Sequence, residues 1–114
     1  MSPRNWADRI RDILDAMHEI DVFTQGMSQA AFLKDAKTLR AVELDFIVIG
    51  EAVSQVPDDV QEAYPEVPWS LMRAMRNRLV HVYFGVDPRL VWDTIQNDLP
   101  ALVEPLKELI AGRL

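Results

Sequence analysis

The sequence predicts an all-α bundle, because apolar residues recur at intervals of three and four and no segment shows the two-residue alternation of a strand. The chain has 114 residues, which suits a single domain spanning residues 1–114. Hydrophobic residues make up 49% and charged residues 26%, which is typical of a soluble globular protein. We expect four main helices in mostly antiparallel order, joined by short helical turns.

The first predicted helix extends from Pro3 to about Thr24, and its apolar residues follow helical spacing. Ser2 followed by Pro3 suits a helix cap and a first helical position. Gly26 ends this helix, since glycine readily adopts the conformation that closes a helix. Ser28 can cap a short turn of helix that follows.

The next predicted helix runs from about Ala36 to Gln55, with Asp35 as its cap. It carries a main apolar stripe and a second apolar set that points elsewhere. A helix that is apolar on more than one side is usually buried on more than one side. It is therefore either a central core helix or part of an interface between protomers. The main stripe is Leu39, Val42, Phe46, Ile49 and Val53, and the second set is Leu44, Ile47 and Val48.

Prolines divide the second half of the chain. They leave room for one or two turns of helix from Asp58 to Ala63, followed by a helix from Trp69 or Ser70 to about Tyr83. Gly85 should end that helix.

The last predicted helix begins after Gly85, where Asp87 provides a cap and Pro88 a first helical position. Pro100 and Pro105 should kink or interrupt it, because proline lacks the N–H that an internal helical position needs.

Charge is unevenly distributed along the chain. The net charge of −6 argues against a general nucleic-acid coat, which would be basic. Residues 69–89 nevertheless carry four arginines against one aspartate, whereas residues 51–66 carry five acidic residues and no basic one. A phosphate-bearing partner would be attracted to the first stretch and repelled by the second. Both stretches could equally be solvated charged faces.

Several classes of site are disfavoured by composition. The chain has no cysteine, which excludes a disulfide or a thiol nucleophile. His18 and His81 are too far apart in sequence to give a metal-ligand spacing, so we expect neither metal nor cofactor. No segment is apolar over the roughly 18 residues of a membrane helix, and the first residues lack a signal-peptide pattern. These observations predict a cytoplasmic protein without membrane contact.

The segment around residues 73–83 concentrates groups that could cleave RNA. Such cleavage requires a proton to leave the attacking 2′-hydroxyl, another to reach the leaving 5′-oxygen, and charge stabilisation on the phosphate. Histidine can serve as the acid or base near neutral pH, and arginine grips phosphate oxygens through its planar fork. One histidine with arginines is a minimal, metal-free set for this reaction. The candidate residues are Arg73, Arg76, Asn77, Arg78, His81 and Tyr83.

Helical geometry alone does not bring the two main candidates together. At 100° per residue, Arg76 and His81 lie about 140° apart on a straight helix. The helix could distort, the long side chains could wrap round it, or two copies of the segment could meet across a dimer. Arg76 could also be a structural partner for Glu51 or Asp93, and His81 an ordinary surface histidine.

The pattern Arg76-x4-His81-x-Tyr83 resembles the signature of HEPN-domain ribonucleases, specifically the HepT-like toxins. The resemblance extends in the same order to segments before and after it, and so over nearly the whole chain. Those segments are Ile49-Gly50-Glu51-Ala52, Tyr64-Pro65-Glu66, Pro68-Trp69, Tyr83-Phe84-Gly85-Val86-Asp87 and Val91-Trp92-Asp93 through Leu99-Pro100.

The resemblance implies a HEPN-type up-and-down bundle that works as a homodimer or a higher even oligomer. It implies an RNA substrate, with Arg76 stabilising the phosphate and His81 acting as acid or base. Asn77, Arg78 and Arg73 would support Arg76 and His81 in binding the phosphate. Asn77 and Arg78 could equally be plain helix surface. It also implies a type VII-like toxin–antitoxin pair, in which an MntA-like nucleotidyltransferase antitoxin adenylylates Tyr83.

Two other functions fit the same residues. The chain could be a non-catalytic helical docking partner and substrate of a minimal nucleotidyltransferase. It could also be a structural helical dimer without chemistry, which would be favoured if its arginines were tied up in internal ion pairs.

Overall fold

The computed structural model describes residues 5–74 and 87–113, and within these ranges the secondary structure is helical without strands. The predicted all-α fold is confirmed. The helices are α1 (Trp6–Thr24), α2 (Gln29–Lys34), α3 (Ala36–Ser54), α4 (Asp58–Ala63), α5 (described over residues 69–74), α6 (Pro88–Asn97) and α7 (Pro100–Arg113).

The start of α1 differs from the prediction. The helix begins at Trp6 and not at Pro3, and Asn5 is its cap. The side-chain oxygen of Asn5 accepts a hydrogen bond from the backbone N–H of Asp8 at 3.2 Å. Serine and asparagine are comparably good caps, so residue type gave Ser2 no advantage over Asn5. Ser2 and Pro3 lie outside the described residues.

The other three predicted caps are confirmed. Ser28, Asp35 and Asp87 each accept a hydrogen bond from a backbone N–H in the helix that follows, at distances between 2.9 and 3.1 Å. The backbone hydrogen bond from Thr38, followed by that from its hydroxyl, lowers the pKa of the Asp35 carboxyl. These caps place the starts of α2, α3 and α6 where the sequence predicted them.

The last predicted helix is interrupted once. The break falls between α6 and α7, immediately before Pro100, as the proline predicted. Pro105 lies inside α7 and does not interrupt it, so of the two predicted effects only a kink stays a prediction. Its missing N–H removes one hydrogen bond of the helix. Burial of one face holds α7 together across that gap, through Leu102, Leu106 and Leu109.

The core is centred on the contact between α1 and α3, with α7 packed against α1 and α6 against α2. The stripe predicted for α3 is buried from Val42 to Val53, and Leu39 at its start is partly buried. From α2, Phe32 stacks at a tilt on Trp92 of α6, with ring centroids 5.2 Å apart. The residues buried on α1 include Ile10, Ile13, Met17 and Ile20.

The second apolar set of α3 does not lie in the core. Leu44 is 61% exposed and Val48 is 38% exposed, while Ile47 is half-buried. Within one protomer, α3 is therefore not buried on every apolar side, because Leu44 and Val48 are exposed. The alternative of an interface between protomers remains.

One acidic side chain of α3 is buried. Asp45 is 6% exposed, and its Oδ2 has no hydrogen-bond partner among the described residues. Burial, followed by the nearby charge of Glu19 on α1 and a hydrogen bond with it, raises the pKa of Asp45 to about 7. The folded chain thus binds a proton at Asp45 that the unfolded chain releases near pH 4.

We predict that Asp45→Asn stabilises the protein above neutral pH. Because the pKa of Asp45 is higher in the folded state, its contribution to stability falls as the pH rises from about 4 to 7 and is constant above that range. A neutral amide removes this loss. Because one pKa unit corresponds to about 1.4 kcal/mol, we expect the free energy of unfolding at pH 8 to rise by up to roughly 4 kcal/mol. Denaturant unfolding across that pH range measures the effect.

Asp15→Asn is the matched control, because Asp15 is exposed on α1. It should leave the slope of stability with pH between 4 and 7 nearly unchanged. A wild-type slope that persists in the Asp45→Asn variant would contradict this account of Asp45.

Candidate functional site

Of the predicted site residues, the described part of the chain contains Arg73 alone. The predictions for Arg76, Asn77, Arg78, His81 and Tyr83 concern positions outside the described residues. The surroundings of Arg73 therefore show how the chain approaches the predicted site.

Trp69 fixes the first turn of α5 against α4. Its side chain is buried, and its indole N–H is shared between two backbone carbonyls, those of Gln61 at 3.1 Å and Tyr64 at 3.0 Å. Buried indole groups are usually paired in this way, since an unpaired N–H would cost free energy. The start of α5 is thereby attached to α4 by hydrogen bonds as well as by apolar packing.

Gln61 joins three helices through one side chain. Its Nε2 donates to the carbonyl oxygen of Val56, in the turn that follows α3, at 3.0 Å and, more weakly, to that of Val53 in the last turn of α3 at 3.4 Å. Its Oε1 accepts a hydrogen bond from Nη1 of Arg73 on α5 at 2.6 Å. The carbonyl of Val53 also accepts the backbone N–H of Val56 at 3.0 Å, so Gln61 reinforces a turn that the backbone has already closed.

The short contact with Gln61 orients Arg73 without neutralising it. A hydrogen bond from a guanidinium is charge-assisted and stronger than one between neutral groups. The acceptor is an uncharged amide, so this contact leaves the positive charge of Arg73 in place. The idea that arginines are tied up in internal ion pairs is not supported by this contact.

Sequence reasoning did not identify Gln61. It is one of two glutamines between residues 51 and 66, a stretch with five acidic residues and no basic one, and no spacing rule distinguishes it. The one feature that could have identified Gln61 is its position in α4. That position is informative only when α3, α4 and α5 are known to lie together. Arg89, the other arginine of the basic stretch in the described residues, lies 3.9 Å from Asp87 with both side chains largely exposed.

A groove of about 450 Å³ lies between α1 and α3, on the side where Val48 is exposed. Its floor is apolar and its edges carry both signs of charge, including an ion pair between Arg9 and Asp12 at 3.7 Å. The groove is lined by Arg9 and Asp12 from α1 and by Ile47, Val48, Glu51, Ala52 and Gln55 from α3.

Within residues 5–74 and 87–113, no three histidine, aspartate or glutamate side chains come together as a group that could hold a metal ion. In the same ranges, no helix has the length and apolar character needed to cross a membrane.

Comparison with known proteins gives one consistent family. A family model described as "Ribonuclease HepT-like" matches residues 13–109. The chain is 40% identical over 106 residues to the "Probable ribonuclease HepT" of Thermococcus cleftensis, an overlap of 93% of this chain and 96% of that protein. It is 42% identical over 99 residues to "Putative RNase MJ0127" of Methanocaldococcus jannaschii, an overlap of 87% of this chain and 82% of that protein.

A third relative, "Putative RNase TTE0752" of Caldanaerobacter subterraneus, is 38% identical over 86 residues, or 75% of this chain and 77% of that protein. No solved structure matches.

Proposed function

The chain belongs to the HepT-like ribonuclease family of the HEPN superfamily, and from this membership we propose that it is a metal-independent endoribonuclease that acts as a toxin in the cytoplasm. The observation that carries the proposal is the extent of the family match. It spans residues 13–109, a range that contains Arg76, His81 and Tyr83. The neutral acceptor on Arg73 supports it, because a guanidinium that keeps its charge, three residues before Arg76 in the sequence, favours a phosphate ligand.

The proposed reaction is transesterification of the RNA backbone. The 2′-oxygen loses its proton to a base and forms a bond to the adjacent phosphorus, while the bond from phosphorus to the 5′-oxygen breaks and that oxygen takes up a proton. The products are a 2′,3′-cyclic phosphate and a 5′-hydroxyl. His81 is the acid/base group, and Arg76 stabilises the charge on the phosphate. Asn77, Arg78 and Arg73 support phosphate binding.

We propose that the working form is a homodimer with the Arg76–His81 segments of both copies in a common cleft. On α3, exposed side chains recur at spacing three and four, with Leu44 and Val48 at the centre, Lys37 at one end and Glu51 at the other. An antiparallel second copy would place leucine against valine and lysine near glutamate. Such a stripe is self-complementary, as the interface of a twofold dimer must be.

The proposed toxin also requires an antitoxin partner. We propose that an MntA-like nucleotidyltransferase adenylylates Tyr83, and that the added phosphate competes with RNA for the same arginines. The proposal rests on the family membership and on the position of Tyr83 two residues after His81.

We predict that RNA cleavage survives EDTA and is lost in His81→Ala and in Arg76→Ala. Loss of an acid/base group typically lowers the rate by about 10²- to 10⁴-fold. Gel assays of cleavage, with the 2′,3′-cyclic phosphate detected by mass spectrometry, measure this. Activity that disappears with EDTA and returns with magnesium would refute the metal-free assignment. A wild-type protein that binds a nucleotidyltransferase but cleaves no RNA would instead be a docking partner.

We predict that Leu44→Asp disrupts the dimer. Burying an unpaired carboxylate in both copies should weaken self-association by about a hundredfold. Light scattering over a concentration series measures it. Leu90→Asp is the matched control, since Leu90 is 40% exposed on α6, away from the stripe, and the variant should remain dimeric. A wild-type protein that is monomeric at micromolar concentration would exclude the composite cleft.

We predict that Tyr83→Phe retains toxicity and escapes inhibition by an adenylylating partner. Phenylalanine keeps the ring and removes the acceptor hydroxyl. Mass spectrometry of the co-expressed pair should find one adenylate on Tyr83 in the wild-type protein and none in the variant. If the partner neutralises the wild-type protein without modifying it, inhibition occurs by binding and this proposal fails.

A further inference from the structure

We propose that Gln61 is a positioning residue for RNA binding, which holds the guanidinium of Arg73 in a fixed orientation while leaving its charge available to a phosphate. The inference rests on the proposed ribonuclease function and adds a residue from outside the Arg76–His81 segment. It comes from the contacts of α4 with α3 and α5.

Gln61 is anchored through both its side chain and its backbone. Its Nε2 is held by the carbonyl oxygens of Val56 and Val53, and its own backbone carbonyl accepts the indole N–H of Trp69. Val53, Val56 and Trp69 are all buried. The side-chain amide of Gln61 is therefore fixed at the nitrogen end, which leaves Oε1 in a defined place.

The side-chain oxygen Oε1 of Gln61 makes the contact with Arg73. It accepts a hydrogen bond from Nη1 of Arg73 at 2.6 Å, a short distance for a neutral acceptor. A guanidinium has five N–H donors in a rigid plane, so one strong contact orients the plane without exhausting its donors. Arg73 is half-buried, and fixing it lowers the entropy lost when a ligand binds.

The acceptor that Gln61 offers to Arg73 is uncharged. Gln61 is flanked by Asp58, Asp59, Glu62 and Glu66 in sequence, and a carboxylate at position 61 would make an ion pair with Arg73. An ion pair would cancel the field that attracts a phosphate. The amide provides the same acceptor geometry without the negative charge. Structural attachment of α5 alone would not require a neutral acceptor.

The experiment uses Gln61→Glu, which keeps an oxygen acceptor for Arg73 and adds a charge. The variant also removes the N–H that Gln61 donates to the carbonyls of Val53 and Val56. The probe is a single-stranded 2′-O-methyl RNA of mixed sequence, which cannot be cleaved because its 2′-oxygens are blocked. We expect Gln61→Glu to weaken binding by about tenfold. The slope of log affinity against log salt should fall by about 0.7, the value for one phosphate contact on a single strand. On natural RNA the loss should fall on KM and leave kcat close to wild type.

Arg73→Ala and the double variant separate positioning from simple repulsion. Arg73→Ala should weaken binding to a similar extent, and Gln61→Glu should add little in the Arg73→Ala background, because its effect acts through Arg73. Ala63→Glu is the matched control, since Ala63 is exposed on the same helix. It adds the same charge and should change the Kd by less than about twofold.

The possible outcomes are distinguishable. If the wild-type protein neither binds the probe nor cleaves RNA, the proposed function fails and this inference with it. If the wild-type protein binds RNA but Arg73→Ala binds equally well, only the role of Arg73 and Gln61 is refuted, whether or not Gln61→Glu folds. An equal loss in Ala63→Glu would show that the effect is general repulsion and would also refute positioning by Gln61.

Discussion

The packing of α3 against α1 is the contact on which the rest of the structure depends. It buries the main stripe of α3, from Val42 to Val53, against the isoleucines of α1. The helix α3 has 19 residues, and most of the stability of a helix in a folded protein comes from apolar packing of this kind. Once α3 is fixed, the end of the helix at Ser54 sets where α4 begins and where the chain turns back towards α5.

Two features follow from fixing α3 by one face. Its opposite face is left exposed, so Leu44 and Val48 remain available to another molecule. The chain also turns directly after the end of α3, and Gln61 donates a side-chain N–H to the carbonyls of Val53 and Val56 at this turn. The same amide then meets Arg73. The contacts that hold Gln61 at the end of α3 thus place a neutral acceptor beside Arg73.

The sequence predicted the parts of the fold that depend on local chemistry. Caps such as Ser28 and Asp35, and the helix break before Pro100, follow from side chains within a few residues of the boundary. It left open whether Pro105 kinks or interrupts the last helix, because the continuity of α7 depends on burial against other helices. The role of Gln61 was also missed, because its partners lie five to twelve residues away and meet only after folding. The basic segment itself was recognised because its chemistry is local.

Charge placement explains how an acidic chain can be suited to an anionic ligand. A net charge of −6 describes the field far from the protein, but salt screens charges beyond about 8–10 Å at physiological ionic strength. A phosphate near Arg73 therefore responds mainly to groups within that distance. A neutral amide, in place of one more carboxylate, is the nearest contact that α4 makes to this arginine. The total charge can thus favour solubility while the local charge favours phosphate, and a single amide-to-carboxylate change would reverse the local effect without altering the overall acidity much.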